Sequence, residues 1–461
     1  MTRALACLVP FLAVCGAGTA RAQVTVAQPG QPAAGKAIEL RVTGHRSAPT
    51  VGTLAADPGR EFVIVETAWK NVIPQKAVNR KRAADRTAGA GALGFGGGAT
   101  AQDKAADEAN TTLESVRFEA RPLPNLAWLV VDGRVAEPID VPATRALEGH
   151  VGPDALSIPA FQQVVAGGLV FRVPAGARSL SLLFLDSVNG HLLVPIVGAA
   201  PALANGLGGT GRANEVVELA VTGAAWAEGA PAAAGTRRLV VSVRGISRKE
   251  ALVDVPFADF GFLQTERGCV FSPDRDTAGL SNPLAPRGRF TPFVPAEGQL
   301  AFTVPADTTA AALLFRPRQG AAIDLPVLGT AKPSWPAPTA VVTDGDVLRL
   351  LKLPGAAVPP GLPPPPAGAE RVALDLVVEN LRTGMGIELQ AAQQFRLVGP
   401  ADSRIAPSRF SAQLPCRLDG RGVVPAGGSR RFTLVYDVPP GGPLQLEYRG
   451  FTVKSELIKV R

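Results

Sequence analysis

Over much of the chain, apolar residues alternate with polar ones, the period of a strand with one buried face. Leu239-Val240-Val241-Ser242-Val243-Arg244 and Phe432-Thr433-Leu434-Val435-Tyr436-Asp437-Val438 are examples. The runs are short and bounded by Gly, Pro, Asn and Asp, so they predict antiparallel strands joined by turns. The pattern also repeats. Gly167-Gly168-Leu169-Val170-Phe171-Arg172-Val173-Pro174 matches Gly298-Gln299-Leu300-Ala301-Phe302-Thr303-Val304-Pro305, and a strand led by Gly428 closes on Tyr436-Asp437-Val438-Pro439. The aromatic residue before x-Val-Pro falls at 171, 302 and 436, offsets of 131 and 134. Proline has no N–H to give a ladder, so Val-Pro ends the same strand three times. A second alternating strand follows each time: Leu180, Leu182, Phe184; Leu313, Phe315; Leu444, Leu446, Tyr448. A period near 130 is a domain length, which predicts beads on a chain and not a solenoid.

Five or more strands in each repeat predict an all-β protein of three tandem antiparallel β-sandwiches. The expected units are 37–198, 214–328 and 346–461. The linker 199–213 is small and Gly-rich, hence expected to be flexible, and 329–345 carries Pro333, Pro336 and Pro338, hence stiffer. The first unit carries an insertion at 72–125, about 42 residues longer than its counterparts. It runs from basic (Arg80, Lys81, Arg82) through a glycine tract at 89–98 to acidic, and is expected to be mostly a mobile lobe. Within it, 116–120 alternates as an added strand would. The proline run at 358–366 reads as an exposed polyproline II loop.

The third unit carries the repeat most fully, with Val378, Asn380, Phe395, Leu397, Gly428, Phe432, Val438 and Pro439. This pattern resembles small exported immunoglobulin-like domains, in particular the superfamily of mycobacterial immunoprotective extracellular antigens and related lipoprotein domains of unknown function. The second unit departs from it by placing Gly245 where the Asn is expected, and the insertion interrupts it in the first. The resemblance implies an exported chain of immunoglobulin-like sandwiches and transfers no catalytic residue.

Composition sharpens the picture. Fifty Gly and 42 Pro argue against long helices and suit many turns. Residues 1–22 read as a cleaved signal peptide, with Arg3, an apolar core at 4–14, and Ala20-Arg21-Ala22 before Gln23. No later stretch is apolar for long enough to span a bilayer, so no transmembrane span is expected. Lipoprotein processing at Cys15 is the alternative, although Val14 departs from the small residue expected before a lipidated Cys. The expected location is periplasmic or extracellular. Outside the signal only Cys269 and Cys416 remain, 147 positions apart, and they are expected as separate half-buried thiols in different domains.

Candidate chemistry is sparse. His45, His150 and His191 are widely spaced and read as loop histidines, with no zinc or serine-hydrolase signature. Gly89-Ala90-Gly91-Ala92-Leu93-Gly94 matches a dinucleotide fingerprint in letters only, because no strand precedes it. Asp186-Ser187-Val188-Asn189-Gly190 and Asp274-Arg275-Asp276 read as turns, too poor in carboxylates for Ca²⁺. No cofactor, metal or catalytic residue is therefore expected. The net charge of +8 is spread along the chain, which disfavours nucleic acid and leaves weak attraction to an anionic envelope surface. Trp69, Trp128 and Trp226 are expected as core anchors. The candidate partner contacts are Arg80, Lys81 and Arg82 in the insertion and Trp335 in the second linker, for which packing of an interdomain joint is the alternative. The function these features suggest is a non-enzymatic envelope binding or scaffolding protein, with an envelope protein or polysaccharide as partner. Two alternatives stand beside it: a carbohydrate-active or other envelope enzyme whose carboxylates converge only in the fold, and an assembly factor that pairs a sheet edge with a client strand.

Overall fold

The computed structural model describes residues 24–79, 111–120, 122–228, 235–317, 320–329, 332–358, 361–418 and 422–461. Strands dominate them, and the longest helix, Val141–Ala146, has six residues. The chain is all-β.

Each repeat builds the same three pieces. A front sheet pairs Ile38–Ala48 with Arg60–Asn71 and Val164–Pro174 in the first unit. Val217–Trp226, Thr236–Ser247 and Ala296–Pro305 form it in the second, and Leu348–Lys352, Glu370–Asn380 and Ser429–Val438 in the third. A back sheet centres on Ala127–Val131 with Leu180–Phe184, Gly261–Thr265 with Ala311–Phe315, and Phe395–Val398 with Gln445–Tyr448. A two-stranded ladder accompanies them: Phe118–Ala120 with Leu156–Ile158, Val253–Val255 with Gly288–Phe290, and Ile387–Glu388 with Val423–Val424. The first of these contains the strand expected at 116–120.

Each pair of large sheets encloses one apolar core. Phe171, Phe302 and Tyr436 lie in the three cores, with Val173, Val304 and Val438 and with Leu182, Leu313 and Leu446. All nine have no exposed surface, so the repeated letters are the inward-facing positions. The first two units share finer devices. Each front sheet has a register shift at Val-Thr-Gly, between Val42 and Gly44 and between Val221 and Gly223. Each back sheet has one opposite a proline, Pro195 or Pro326, where a missing N–H costs no ladder bond.

Several expectations change. The repeated Asn has its counterpart at Ser247 and not at Gly245. Asn71 pairs with Ile38, Asn380 with Leu348 and Ser247 with Val217, and each side chain accepts from the N–H two residues on. Gly245 instead stands level with Trp69 and Val378, and a Cβ there would lie 2.4 Å from the Phe290 ring that fills the space. The linker 199–213 is tied down: Ala204 N donates to Phe293 O (2.7 Å), and Arg212–Ala213 pairs with the front sheet. Leu207 N donates to the Glu218 carboxylate (3.1 Å), which occupies the Cβ positions of Gly206 and Gly211, so glycine serves close approach here. In the second linker, Ala340–Asp344 is already a strand of the third unit. Leu362 of the proline run packs beside Ala373, Leu414 and Val435. Asp186 accepts from Val188 N and Asn189 N, as the turn reading requires.

Candidate functional site

The central strands of the back sheets in the first two units are buried on both faces. Leu180–Phe184 is buried at every position, and so is Gly261–Thr265. Inward residues fill the cores; the outward ones make the joints between units. Trp128, Val130, Leu183, Leu185 and Leu193 of the first unit enclose Phe293 and Val294 of the second. Trp128 is thus a joint residue and not a core anchor. His191 is fully buried at the same joint and begins the strand His191–Val197, so it is not a loop histidine. Its ring lies 5.2 Å from Phe293, and neither ring nitrogen has a hydrogen-bond partner. Burial holds its imidazole below the usual histidine value, against the pull of Glu250 and Asp186. His150 lies apart and exposed, its Nδ1 2.8 Å from Leu147 O.

At the second joint, Phe262, Val270 and Leu314 meet Val423 of the third unit. Gln264 Nε2 donates to Ser429 O (2.7 Å) and Arg431 N to Gly268 O (2.8 Å). Cys269 and Cys416 form a disulfide across this joint, with Cα atoms 5.4 Å apart. The expectation of two separate thiols is corrected: each sits at the edge where its unit meets the other, and sequence distance carries no information on that. Trp335 packs on Leu351, Leu353 and Val377, and its ring lies against Gly268.

Beside the bridged joint lies an open cleft of about 1440 Å³. The second unit lines it with Asp259, Phe260, Phe271, Asp274, Arg275 and Arg316, and the third with Met385, Glu388, Arg417, Val423 and Pro425. Asp274 is held at both carboxylate oxygens. It accepts from Thr303 N (3.1 Å) and Thr303 Oγ1 (3.0 Å), with Arg238 Nε at 3.6 Å. Burial pushes its carboxyl up, against the pull of Thr303, Arg238 and Arg417. Arg316 donates to Ile323 O (3.2 Å) and pairs with Asp324. Met385 is more than half exposed. The cleft therefore offers apolar surface flanked by guanidiniums and carboxylates, held in place by side chains that already have partners. Among the described residues no group of three or more His, Cys, Asp or Glu is placed to hold a metal ion.

Of the sequence-derived contact residues, Trp335 stands at the second joint, while Arg80, Lys81 and Arg82 lie outside the described residues, as does the glycine tract. No motif marked Met385 or Arg417. The available signal was indirect: apolar residues on both faces of a strand, as in Ala127–Val131, leave no face for water, so something had to cover them.

No family model matches the chain, and no curated protein matches it. Among solved structures it is similar to dimeric latent PorU from Porphyromonas gingivalis, at 9% identity and a TM-score of 0.14, over 91% of this chain and 34% of that one. The chain thus spans about a third of that protein. It is similar also to Lac15 from a marine microbial metagenome, at 13% identity and a TM-score of 0.14, over 75% of this chain and 90% of that one. Likeness at this level carries no argument about function. No helix among the described residues is long and apolar enough to cross a membrane.

Proposed function

We propose that the protein is an exported, non-enzymatic binding or scaffolding protein of the cell envelope, built as three tandem immunoglobulin-like sandwiches. Its binding site is the cleft between the second and third units. The observation that carries this reading is the bracing of that cleft by the Cys269–Cys416 bond and by the hydrogen bonds from Arg431 N to Gly268 O and from Gln264 Nε2 to Ser429 O across the joint. A cleft whose walls are already ordered costs little entropy to fill, which suits recognition. The disulfide also supports export, because such bonds persist in oxidising compartments. So does the apolar leader before Ala20-Arg21-Ala22. The resemblance to exported antigen and lipoprotein domains agrees with both. The partner is an envelope protein or polysaccharide that lays an extended chain over Met385, Phe260 and Pro425 and meets Arg275 and Arg417.

One observation favours the enzymatic alternative: Asp274 is a carboxyl raised by burial, and it lines a cleft. Thr303 and Arg238 already occupy both its oxygens, which makes it a structural group in the binding reading. Calorimetric titration with purified envelope polysaccharide and with solubilised envelope protein separates the two. Binding that M385E or R417E weakens at least about tenfold, with no product released over time, is the expected result. Turnover of the polysaccharide that Asp274→Asn abolishes would overturn the binding reading.

A further inference from the structure

A turn with left-handed backbone occupies the same register in every unit. It is centred on Gln162 (φ 64°), Phe293 (φ 69°) and Gly427 (φ 61°). Each lies three residues before Val165, Ala296 or Arg430, which pair with Trp69, Gly245 and Val378. In the second unit this end, carrying Phe293, Val294 and the neighbouring Leu252, is seated on the outer back-sheet face of the first. In the third, Val423, Ser429 and Arg431 of the same end meet the outer face of the second. Two of the three ends are therefore occupied in one manner, by an apolar sheet face.

No such face covers the end of the first unit among the described residues, and apolar side chains surround it. Phe161 is 36% exposed, Val116 37%, Val164 51% and Leu113 65%. One local framework holds them. The Ser115 hydroxyl accepts from Phe161 N (3.4 Å), and Asn71 Nδ2 donates to Val116 O (2.8 Å). Lone exposed apolar residues need no explanation, whereas several on one end of a domain mark an interaction surface. Gln162 and Gln163 replace the Phe293 and Val294 of the seated turn, a polar centre that water can satisfy when no partner is present.

We propose that this end of the first unit is a docking surface for a partner protein that presents the apolar outer face of an antiparallel sheet, seated as the second unit is on the first. A second copy is a poor occupant. Its first two outer faces are already covered, and its third carries Arg404 and Arg449 paired to Glu447.

The test uses the full chain as its own probe. A chain with F293D and V294D opens the face of Trp128, Leu183 and Leu193, and F161D with V164D blocks its own free end. L252D is added if anilinonaphthalene sulfonate fluorescence does not report an open face. In sedimentation velocity this chain should form a heterodimer with the wild type, and none with a chain carrying only F161D and V164D. Separate monomers despite an open face, or equal pairing with both chains, would overturn the proposal. Far-ultraviolet dichroism of each chain identifies unfolding, in which case serines replace the aspartates and the same outcomes decide.

Discussion

Asn380 illustrates how one side chain can organise a strand end. It is buried, its amide reaches Met385 O (2.8 Å), Pro425 O (3.2 Å) and Val424 O (3.3 Å), and its Oδ1 accepts from Arg382 N (3.0 Å). Asn71 does the same in the first unit with Val116 O and Ile158 O. Ser247 manages part of it with a shorter arm, accepting from Lys249 N and donating to Ala251 O. Buried carbonyls left without donors are costly, so N380A should destabilise the third unit by about 1–3 kcal/mol. Urea unfolding checks this; a change within about 0.5 kcal/mol, the scale of a neutral surface substitution, would refute the role assigned to the side chain. The Asn was legible in the sequence. Its counterpart was misplaced by two residues because strand alternation scores Gly245 and Ser247 on the same face; only the register with Val217 separates them.

At the scale of elements, the strand His191–Val197 is buried at its first five positions because it lies between a core and a joint. His191 has Phe293 against its ring and Glu250 and Asp186 as the charged groups acting on it. Its folded pKa is depressed, so the unfolded chain binds the proton more readily than the folded one. This group's contribution is therefore in place at high pH, and stability falls as pH drops through the ordinary histidine value of about 6.5. The urea midpoint should fall between about pH 8 and pH 5, and H191F should flatten that part of the slope. An identical slope in the variant would remove His191 as its source. Strand existence was readable from alternation. Leu180–Phe184 read as alternating, yet every position is buried, because whether an outward position meets water, a helix or another unit is not a property of the strand.

For the whole molecule, two joints of different kind connect three cores. The first relies on Trp128, Leu183, Leu193, Phe293 and Val294, and the second adds a covalent bond. Closing a loop across 147 positions restricts the unfolded chain, so reduction should lower stability by about 2–5 kcal/mol. Calorimetry with and without dithiothreitol tests it, with C269S/C416S as the non-reducible control. An unchanged melting temperature under reduction would show that the joint holds without the bond. The same experiment bears on the cleft, whose two walls belong to the two bridged units.

Sequence alone determined the all-β class, the threefold period and the inward-facing letters, since each follows from side-chain alternation and proline chemistry within a few neighbouring residues. The tertiary structure decided the rest: which strands turn apolar residues outward onto another unit, that Cys269 meets Cys416, that Trp128 and His191 lie at a joint, and that a cleft opens beside the bridge. Those facts depend on how the three cores meet. Contacts between residues more than a hundred positions apart leave no local periodicity to read.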